Sequence, residues 1–487
     1  MTSLKKQTVS GIKWQVSSSF LQKAISMGAT IFLARILGPN DFGLFALAFV
    51  AIDAFGLFKS IGFDAALVQR KDNFEKAANT AFIVVPILGS IIYLILALLA
   101  PLIGKFLNSY DVVGIIRALG IIFILSCLGK VPSAIMEKNM QFKLVSIIEI
   151  YTTIIYALSS IIFALLEFGV WSLVIGHILR VLSQNVLFMI FSKWRPKIEF
   201  DKKIALEMFH YGKFIFLTSA FWFVRLNLDN ILVGKLLGVV SLGIYAIAFN
   251  IANFGSSYFS DKVARVIFPA FTKVQNDKYD LKLAFLKTTK YASMVAFPFC
   301  VVLFFFGGDI VKVVYGNKWL AVIPVLQVLS FAGLFNTLPI AFGPLFNATG
   351  HPKSSFFFST IQIMLFVIGI IPAAKLYGAV GVGFVVSISS LIPILCYLPL
   401  VRRLISSTYL EIYQTVKPAL LGAIIMSSLI LIFRFTFRIN YTTSGIYSYI
   451  IPLLIFLLGF IFYGISLSII DKTTIKKIWY DFALKES

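Results

Sequence analysis

The chain has 487 residues, of which 59% are hydrophobic and 13% are charged. A soluble domain is about half apolar and a quarter charged, so this composition excludes a soluble protein. With a mean hydropathy of +0.93, the chain is predicted to be an integral membrane protein. The net charge of +22 is concentrated in loops, so it predicts orientation in the membrane and no nucleic-acid partner.

Long apolar runs recur along the whole chain. Each is about 20 residues or longer, enough to cross ~30 Å of hydrocarbon as a helix, whereas the strands of a membrane barrel are short and alternating. The runs predict an all-α protein with fourteen transmembrane helices, six before a basic linker at 193–205, six after it and two at the end. In chain order they are predicted near residues 13–37, 41–64, 79–104, 110–137, 143–166, 169–192, 206–235, 240–268, 284–308, 319–347, 354–377, 379–402, 416–436 and 446–470.

The segment at 33–49 is repeated 200 residues later. LARILGPNDFGLFALAF aligns with VGKLLGVVSLGIYAIAF, and six of the 17 paired positions are identical, including the pairs Gly38/Gly238 and Gly43/Gly243. This favours an internal duplication, although apolar segments also resemble one another by composition alone. Because each repeat holds six helices, both start on the same side of the membrane and are parallel repeats. The predicted domains are two six-helix lobes at 1–200 and 201–405 and a C-terminal helix pair with a basic tail at 406–487.

The predicted loops divide the basic residues unequally. Of 43 lysines and arginines, 28 fall in the loops and tails of one side and eight on the other. By the positive-inside rule the richer side is cytoplasmic, so both termini are predicted inside.

Charged residues also fall within the predicted spans. A charge at a helix centre costs about 2.5–3.5 kcal/mol on insertion scales, so ten of them predict a wet cavity, pairing or snorkelling. Arg180 and Asp53 lie nearest their predicted helix centres, while Arg225 and Asp229 are four apart and suit an ion pair on one face. The basic residues are Lys23, Lys59, Arg117, Lys130, Arg180, Lys213 and Arg225, of which Lys130 and Lys213 are close enough to cytoplasmic ends to snorkel; the acidic ones are Asp53, Glu149 and Asp229.

All ten charges lie in the first seven helices, and the cationic excess predicts an anionic substrate. Arginine suits phosphate or pyrophosphate because its planar guanidinium can donate two parallel hydrogen bonds to the phosphate oxygens. His177 shares a helix face with Arg180 and is either a packed polar residue or a proton carrier. Asp53 and Asp229 are the candidates for coupling to an H⁺ or Na⁺ gradient. The predicted head-group site comprises Lys23, Lys59, Arg117, Arg180 and Arg225.

No motif in the sequence predicts catalysis. There is no G-x-x-x-x-G-K-[ST] P-loop, no H-E-x-x-H and no Cys/His cluster, so neither a catalytic residue, a metal site nor a cofactor is expected. A membrane enzyme of glycan assembly would need a large outer loop, and the predicted outer loops are short. The second hypothesis is an ion-coupled multidrug exporter. Such a protein would take cationic substrates and should carry more acidic residues in its membrane spans than the three found among the ten charged residues.

Four segments resemble a known family. They are GIKWQ…ARILGPNDFGLFALA near the start, DAALVQRKD at Asp64–Asp72, VIFPAFTKVQ at Val266–Gln275 and FNATGHPK at Phe346–Lys353. Together they resemble the polysaccharide transporter family, the Wzx-like branch of the multidrug/oligosaccharidyl-lipid/polysaccharide exporter superfamily, near the colanic acid and teichuronic acid exporters.

The resemblance implies two six-helix lobes around a central cavity that opens alternately inward and outward. It implies a monomeric flippase for an oligosaccharide linked to a polyprenyl diphosphate, in the bacterial cytoplasmic (inner) membrane. Such proteins serve the biosynthesis of lipopolysaccharide and other surface polysaccharides, beside further assembly proteins. Helices 13 and 14 exceed the twelve-helix core.

Overall fold

The computed structural model describes the backbone of residues 2–58, 63, 66–67, 70, 72–436 and 447–470. Within these ranges the side chains of 2–13, 211–222, 224–226, 254–266, 269, 352, 355 and 447–454 are not described. The chain divides into two compact units, Met1–Ala246 and Ile247–Ser487. Compact units are defined by contacts and the predicted lobes by sequence repeat, so the lobe boundaries at 200 and 405 stay predictions.

The fold is all helical over the described residues, with a helix at each of the fourteen predicted places. Nine of the described helices are long and apolar enough to cross a membrane. The first unit contains α1 (Thr2–Ile36), α2 (Pro39–Gly56), α3 (Phe74–Phe106), α4 (Val112–Lys138), α5 (Phe142–Leu165), α6 (Val170–Phe191), α7 (Lys202–Leu237) and the start of α8 (Val239–Val274). The second unit contains the rest of α8, α9 (Lys278–Ile310), α10 (Val322–Thr337), α11 (Phe342–Ala348), α12 (Pro352–Leu404), α13 (Tyr409–Thr436) and α14 (Tyr447–Ile470). Here α10 and α11 together form one predicted span, and α12 is two helices that meet at Gly378, where φ is 58°.

Several helix ends differ from the prediction. The span predicted to begin at 284 begins at Lys278, because the Asp277 carboxylate accepts hydrogen bonds from the backbone N of Tyr279 and Asp280 at 2.8 and 3.1 Å. Such an N-cap satisfies backbone donors that the helix itself leaves unpaired. In the other direction, α2 ends at Gly56 and not near 64. Apolar content therefore overestimates the length of some helices. It underestimates the length of helices whose N-cap lies outside the apolar run.

One face of α3 is apolar and exposed. Its members follow one another at intervals of four, three, four and four residues, which places them on one side of a helix. Leu98 is 77% exposed and yet lies in the middle of the longest apolar run of this unit. A stripe of this kind suits contact with lipid hydrocarbon. The stripe comprises Ile87, Ile91, Leu94, Leu98 and Leu102.

The linker between α6 and α7 is bound to the start of α3. The Lys197 ammonium lies 2.9 Å from Glu75, and the Lys197 backbone N donates to the Asn79 side-chain oxygen at 3.1 Å. The Asp201 backbone N donates to the Thr80 hydroxyl, also at 3.1 Å. The predicted linker is thus an ordered strap over α3, and α7 begins directly behind it at Lys202.

The second unit has a closed aromatic core. Phe285, Phe342 and Phe346 are 1%, 5% and 1% exposed, and the rings of Phe342 and Phe285 are 6.0 Å apart. These residues join α9 to α11, and Tyr397 of α12 packs against Phe346 with ring centroids 5.7 Å apart. This core contrasts with the polar interior of the first unit.

Candidate functional site

A band of small polar side chains runs along α5 inside the first unit. Glu149 accepts a hydrogen bond from the Gln22 amide of α1 at 3.0 Å. The backbone oxygen of Glu149 accepts bonds from the Thr152 and Thr153 hydroxyls at 3.1 and 2.7 Å. The Ser160 hydroxyl is also buried and lies beside the Tyr156 hydroxyl. Such hydrogen bonds satisfy polar groups that would each cost several kcal/mol if they stood unpaired in hydrocarbon.

Arg180 lies beside this band. It is half-buried and occupies the middle of α6, which runs from Val170 to Phe191. Its guanidinium is close enough to the Tyr156 hydroxyl of α5 for the two to interact electrostatically. Over the described residues no carboxylate forms an ion pair with Arg180. This environment makes Arg180 a candidate site for an external anion.

Four aromatic rings from three helices meet one turn from Arg180. The His177 ring of α6 is 5.1 Å from Phe49, 6.4 Å from Phe45 and 6.3 Å from Tyr156, with interplanar angles of 82°, 74° and 87°. All four residues are half-buried. We call Phe45, Phe49, Tyr156 and His177 the His177 ring cluster. Sequence analysis singled out His177 alone, because periodicity within one helix does not show which side chains of other helices meet it.

The other predicted cations have different surroundings. Lys23 is exposed on α1. Arg117 is exposed on α4, and its Nε donates to the Ala97 backbone oxygen of α3 at 3.2 Å. Lys59 and the side chain of Arg225 lie outside the described residues. The five-residue head-group site therefore stays a prediction, and Arg180 is its described member with an interior position.

The two predicted coupling acids also differ. Asp229 is 7% exposed, and its carboxylate accepts hydrogen bonds from the Tyr245 hydroxyl and the Asn230 backbone N, each at 2.9 Å. Asp53 is half-buried, and no described residue donates a hydrogen bond to its side chain. Its expected place near a helix centre was wrong, because α2 ends at Gly56 and Asp53 lies in the last turn. Within the described ranges no group of three or more His, Cys, Asp or Glu residues could hold a metal ion.

The duplicated turns pack against each other. A Cβ atom added at Gly43 would lie 2.0 Å from the Val239 backbone oxygen, and one added at Gly243 would lie 2.0 Å from the Pro39 backbone oxygen. Val239 is the repeat equivalent of Pro39, so the contact is reciprocal, as in an interface with local two-fold symmetry. The backbones of α2 and α8 approach so closely that only glycine fits at either position. This reciprocity is what the internal duplication predicts.

The chain was compared with known protein families and curated proteins. Residues 32–324, more than half of the chain, match the model of a family described as "Polysaccharide biosynthesis protein". The lipopolysaccharide biosynthesis protein WzxC of Escherichia coli (strain K12) is 26% identical over 411 residues, covering 84% of this chain and 83% of WzxC. The teichuronic acid biosynthesis protein TuaB of Bacillus subtilis (strain 168) is 26% identical over 426 residues, covering 87% and 88%.

Solved structures share the fold at low sequence identity. The lipid II flippase MurJ in an inward closed conformation superposes with a TM-score of 0.74 at 16% identity, covering 95% of this chain and all of MurJ. An inward-facing multidrug resistance MATE family transporter of the MOP superfamily gives a TM-score of 0.59 at 15% identity, covering 79% and 94%. These likenesses show that the chain shares their helical fold.

Proposed function

The chain belongs to the polysaccharide biosynthesis protein family, and from this premise we propose that it is a flippase for an anionic lipid-linked oligosaccharide. Membership confirms the family resemblance found in the sequence. The substrate is of the polyprenyl-diphosphate type and is moved across the bacterial cytoplasmic membrane by alternating access, for surface polysaccharide biosynthesis. WzxC and TuaB carry names from polysaccharide biosynthesis, and MurJ is named as a lipid flippase, which supports this choice of substrate class.

The observation that carries the proposal is the position of Arg180. A half-buried guanidinium among apolar helices is costly unless an anion compensates it. Within the described side chains no carboxylate is paired with it, and the neutral Tyr156 hydroxyl interacts with it, so we assign the compensating charge to the substrate. A diphosphate accepts paired hydrogen bonds from a guanidinium. Arg180 then binds the head group while the lipid tail stays in the bilayer.

The test is flipping of a fluorescent polyprenyl-diphosphate oligosaccharide in proteoliposomes, with wild type beside Arg180→Ala. A charge-assisted hydrogen bond is worth about 1.5–3 kcal/mol, so loss of two lowers the rate by about 100-fold or more. Arg195→Ala, in an exposed linker arginine that bonds the Met189 and Trp194 backbone oxygens, is the matched control and should flip normally. Protein levels in the membrane should be equal for all three.

Wild-type flipping retained in Arg180→Ala would contradict the assignment of the anion site. Efflux of a cationic dye without glycolipid flipping would instead establish the multidrug exporter. Comparing rates with and without an H⁺ or Na⁺ gradient then tests whether Asp53 couples transport, since its carboxylate is half-buried and accepts no hydrogen bond from the described residues.

The glycine contact between α2 and α8 supplies a gate for alternating access. The charge distribution predicts the turn at 38–41 on the outer side of the membrane. With Gly43 seated on the Val239 backbone oxygen, no space remains between these two helices at that level. We assign this contact to the closed outer gate, which must separate when the substrate leaves.

Gly43→Val should keep the outer gate from closing. The added side chain would overlap backbone atoms, which cannot rotate away as a flexible side chain can, so α2 and α8 must separate. Gly28→Val is the control, because a Cβ at Gly28 meets nothing within 4 Å. The gate is probed with Leu47→Cys, one turn below Gly43, in a chain without other cysteines. An impermeant maleimide added outside should label this cysteine only when Gly43→Val is also present. Equal labelling in both glycine backgrounds would remove this contact from the gate.

A further inference from the structure

We propose that the His177 ring cluster is a sugar-binding subsite, which holds the first saccharide of the glycolipid while Arg180 holds its diphosphate. The inference rests on the proposed function and extends it from the charge of the substrate to its carbohydrate. Arg180 and His177 are three residues apart on α6, which corresponds to about 4.5 Å of helix rise. Their positions along the helix are therefore spaced on the scale of a phosphate and the sugar bonded to it.

The exposure of the rings is the first argument. Some packed aromatic rings of the chain are closed, as at Phe285 and Phe346, which are each 1% exposed. The four rings of the His177 ring cluster are all half-buried, although they come from three neighbouring helices of one unit. One of them, Tyr156, lies on α5 in the same stretch as the polar band and interacts with Arg180. A ligand bound at Arg180 would thus lie close to these rings.

The chemistry of the rings is the second argument. Aromatic faces carry negative charge density, which attracts the polarised C–H bonds on the apolar face of a pyranose. The imidazole of His177 and the hydroxyl of Tyr156 can donate to and accept from sugar hydroxyls. Apolar aromatic walls with a few polar groups are the usual make-up of a small-molecule site. Neither a bare phosphate nor an alkyl chain would use both properties.

The order of the groups along α6 is the third argument. The predicted topology places the start of α6 on the outer side, so His177 is farther from the cytoplasm than Arg180. A glycolipid entering from the cytoplasmic side leads with its sugars, and its diphosphate follows nearer the membrane surface. The sugar subsite should accordingly lie deeper than the phosphate site, as His177 does relative to Arg180.

The experiment measures binding of fluorescent polyprenyl diphosphates that carry no sugar, one sugar or several sugars to the purified full-length protein. Wild type should bind both glycosylated lipids about tenfold more tightly than the bare lipid, because aromatic contacts of this size sum to about one decade. His177→Ala and Phe49→Leu should remove that preference and leave the affinity for the bare lipid unchanged. His177→Phe should retain part of the preference, since it keeps the ring and loses its nitrogens.

The matched control is Phe163→Leu. Phe163 is another half-buried ring on α5, in an edge contact with Phe168 at 5.3 Å, and its replacement should leave all three affinities unchanged. Equal weakening for all three lipids in the His177 and Phe49 variants would show that the rings only pack the helices and would overturn the subsite. A preference that survives both variants would overturn it as well. The proposed function fails separately, if wild type binds none of the lipids or if Arg180→Ala binds all three normally.

Discussion

Arg180 in the first unit and Arg434 in the second are both half-buried arginines on apolar helices, and their surroundings differ. Arg434 forms an ion pair with Asp309 of α9, and its guanidinium lies 5.2 Å from the centre of the Phe306 ring. It also lies in the last turn of α13, where the helix dipole favours a cation. Arg180 is at mid-helix and has no acid partner over the described ranges.

The difference separates two uses of charge in a membrane protein. In the second unit each cation with a described acid partner lies near a helix end, as for Lys282, whose ammonium is 2.5 Å from Glu411 at the start of α13. Such pairs fix one helix to another and leave little charge for a ligand. Arg180 in the first unit lies beside the Tyr156 hydroxyl and one turn from the His177 ring cluster instead. The proposed function assigns the compensation of its charge to the substrate.

Removal of Arg434 should have the largest effect on stability. Arg434→Ala leaves Asp309 half-buried without its partner, and breaking such a pair typically costs about 3–5 kcal/mol. Denaturant titration of the purified protein should show this loss, whereas Arg180→Ala should unfold like wild type. The rate of flipping per folded molecule should show the opposite pattern. It should be retained in Arg434→Ala and lost in Arg180→Ala.

A double variant tests the reason for that effect. Asp309→Asn with Arg434→Gln removes both charges and keeps side chains of similar size, so it should cost clearly less than Arg434→Ala alone. Equal losses in the two proteins would mean that packing on Phe306, and not the ion pair, stabilises the contact between α9 and α13. That result would weaken the contrast between the two arginines.

The sequence was sufficient for most of the fold. Hydrocarbon sets a minimum length for an apolar helix, so run length alone located the fourteen helices. The glycine pairs at offset 200 predicted a duplication, whereas the contact between Gly43 and Gly243 was found only in the structure. Helix ends were less predictable, because they depend on single caps. Asp277 starts α9 six residues before its predicted start at 284, and this carboxylate looks like any other charged loop residue in the sequence.

The site was less predictable, because facing direction depends on neighbouring helices. Arg117 and Arg180 look alike in the sequence, each a lone arginine in an apolar run. In the structure Arg117 is exposed and bonded to α3, while Arg180 lies inside beside Tyr156. The contacts of Phe49 with His177 likewise arise only when α2 packs near α6. Composition predicted an anionic substrate, and only the packing of the helices distinguishes the two arginines.

The acids of the first unit allow the same contrast to be tested with a smaller effect. Tyr245 is fully buried and donates to Asp229, so Tyr245→Phe keeps the ring and leaves one carboxylate oxygen without its donor. An unsatisfied buried acceptor costs about 1–3 kcal/mol, which denaturant titration should detect. If Asp229 only ties α7 to α8, the dependence of flipping on an ion gradient will not change. A lost gradient dependence would make Asp229 a coupling residue. The other predicted candidate is Asp53, whose carboxylate accepts no hydrogen bond from the described residues. Asp53→Asn should then remove that dependence with little loss of stability, because no described partner is left unpaired.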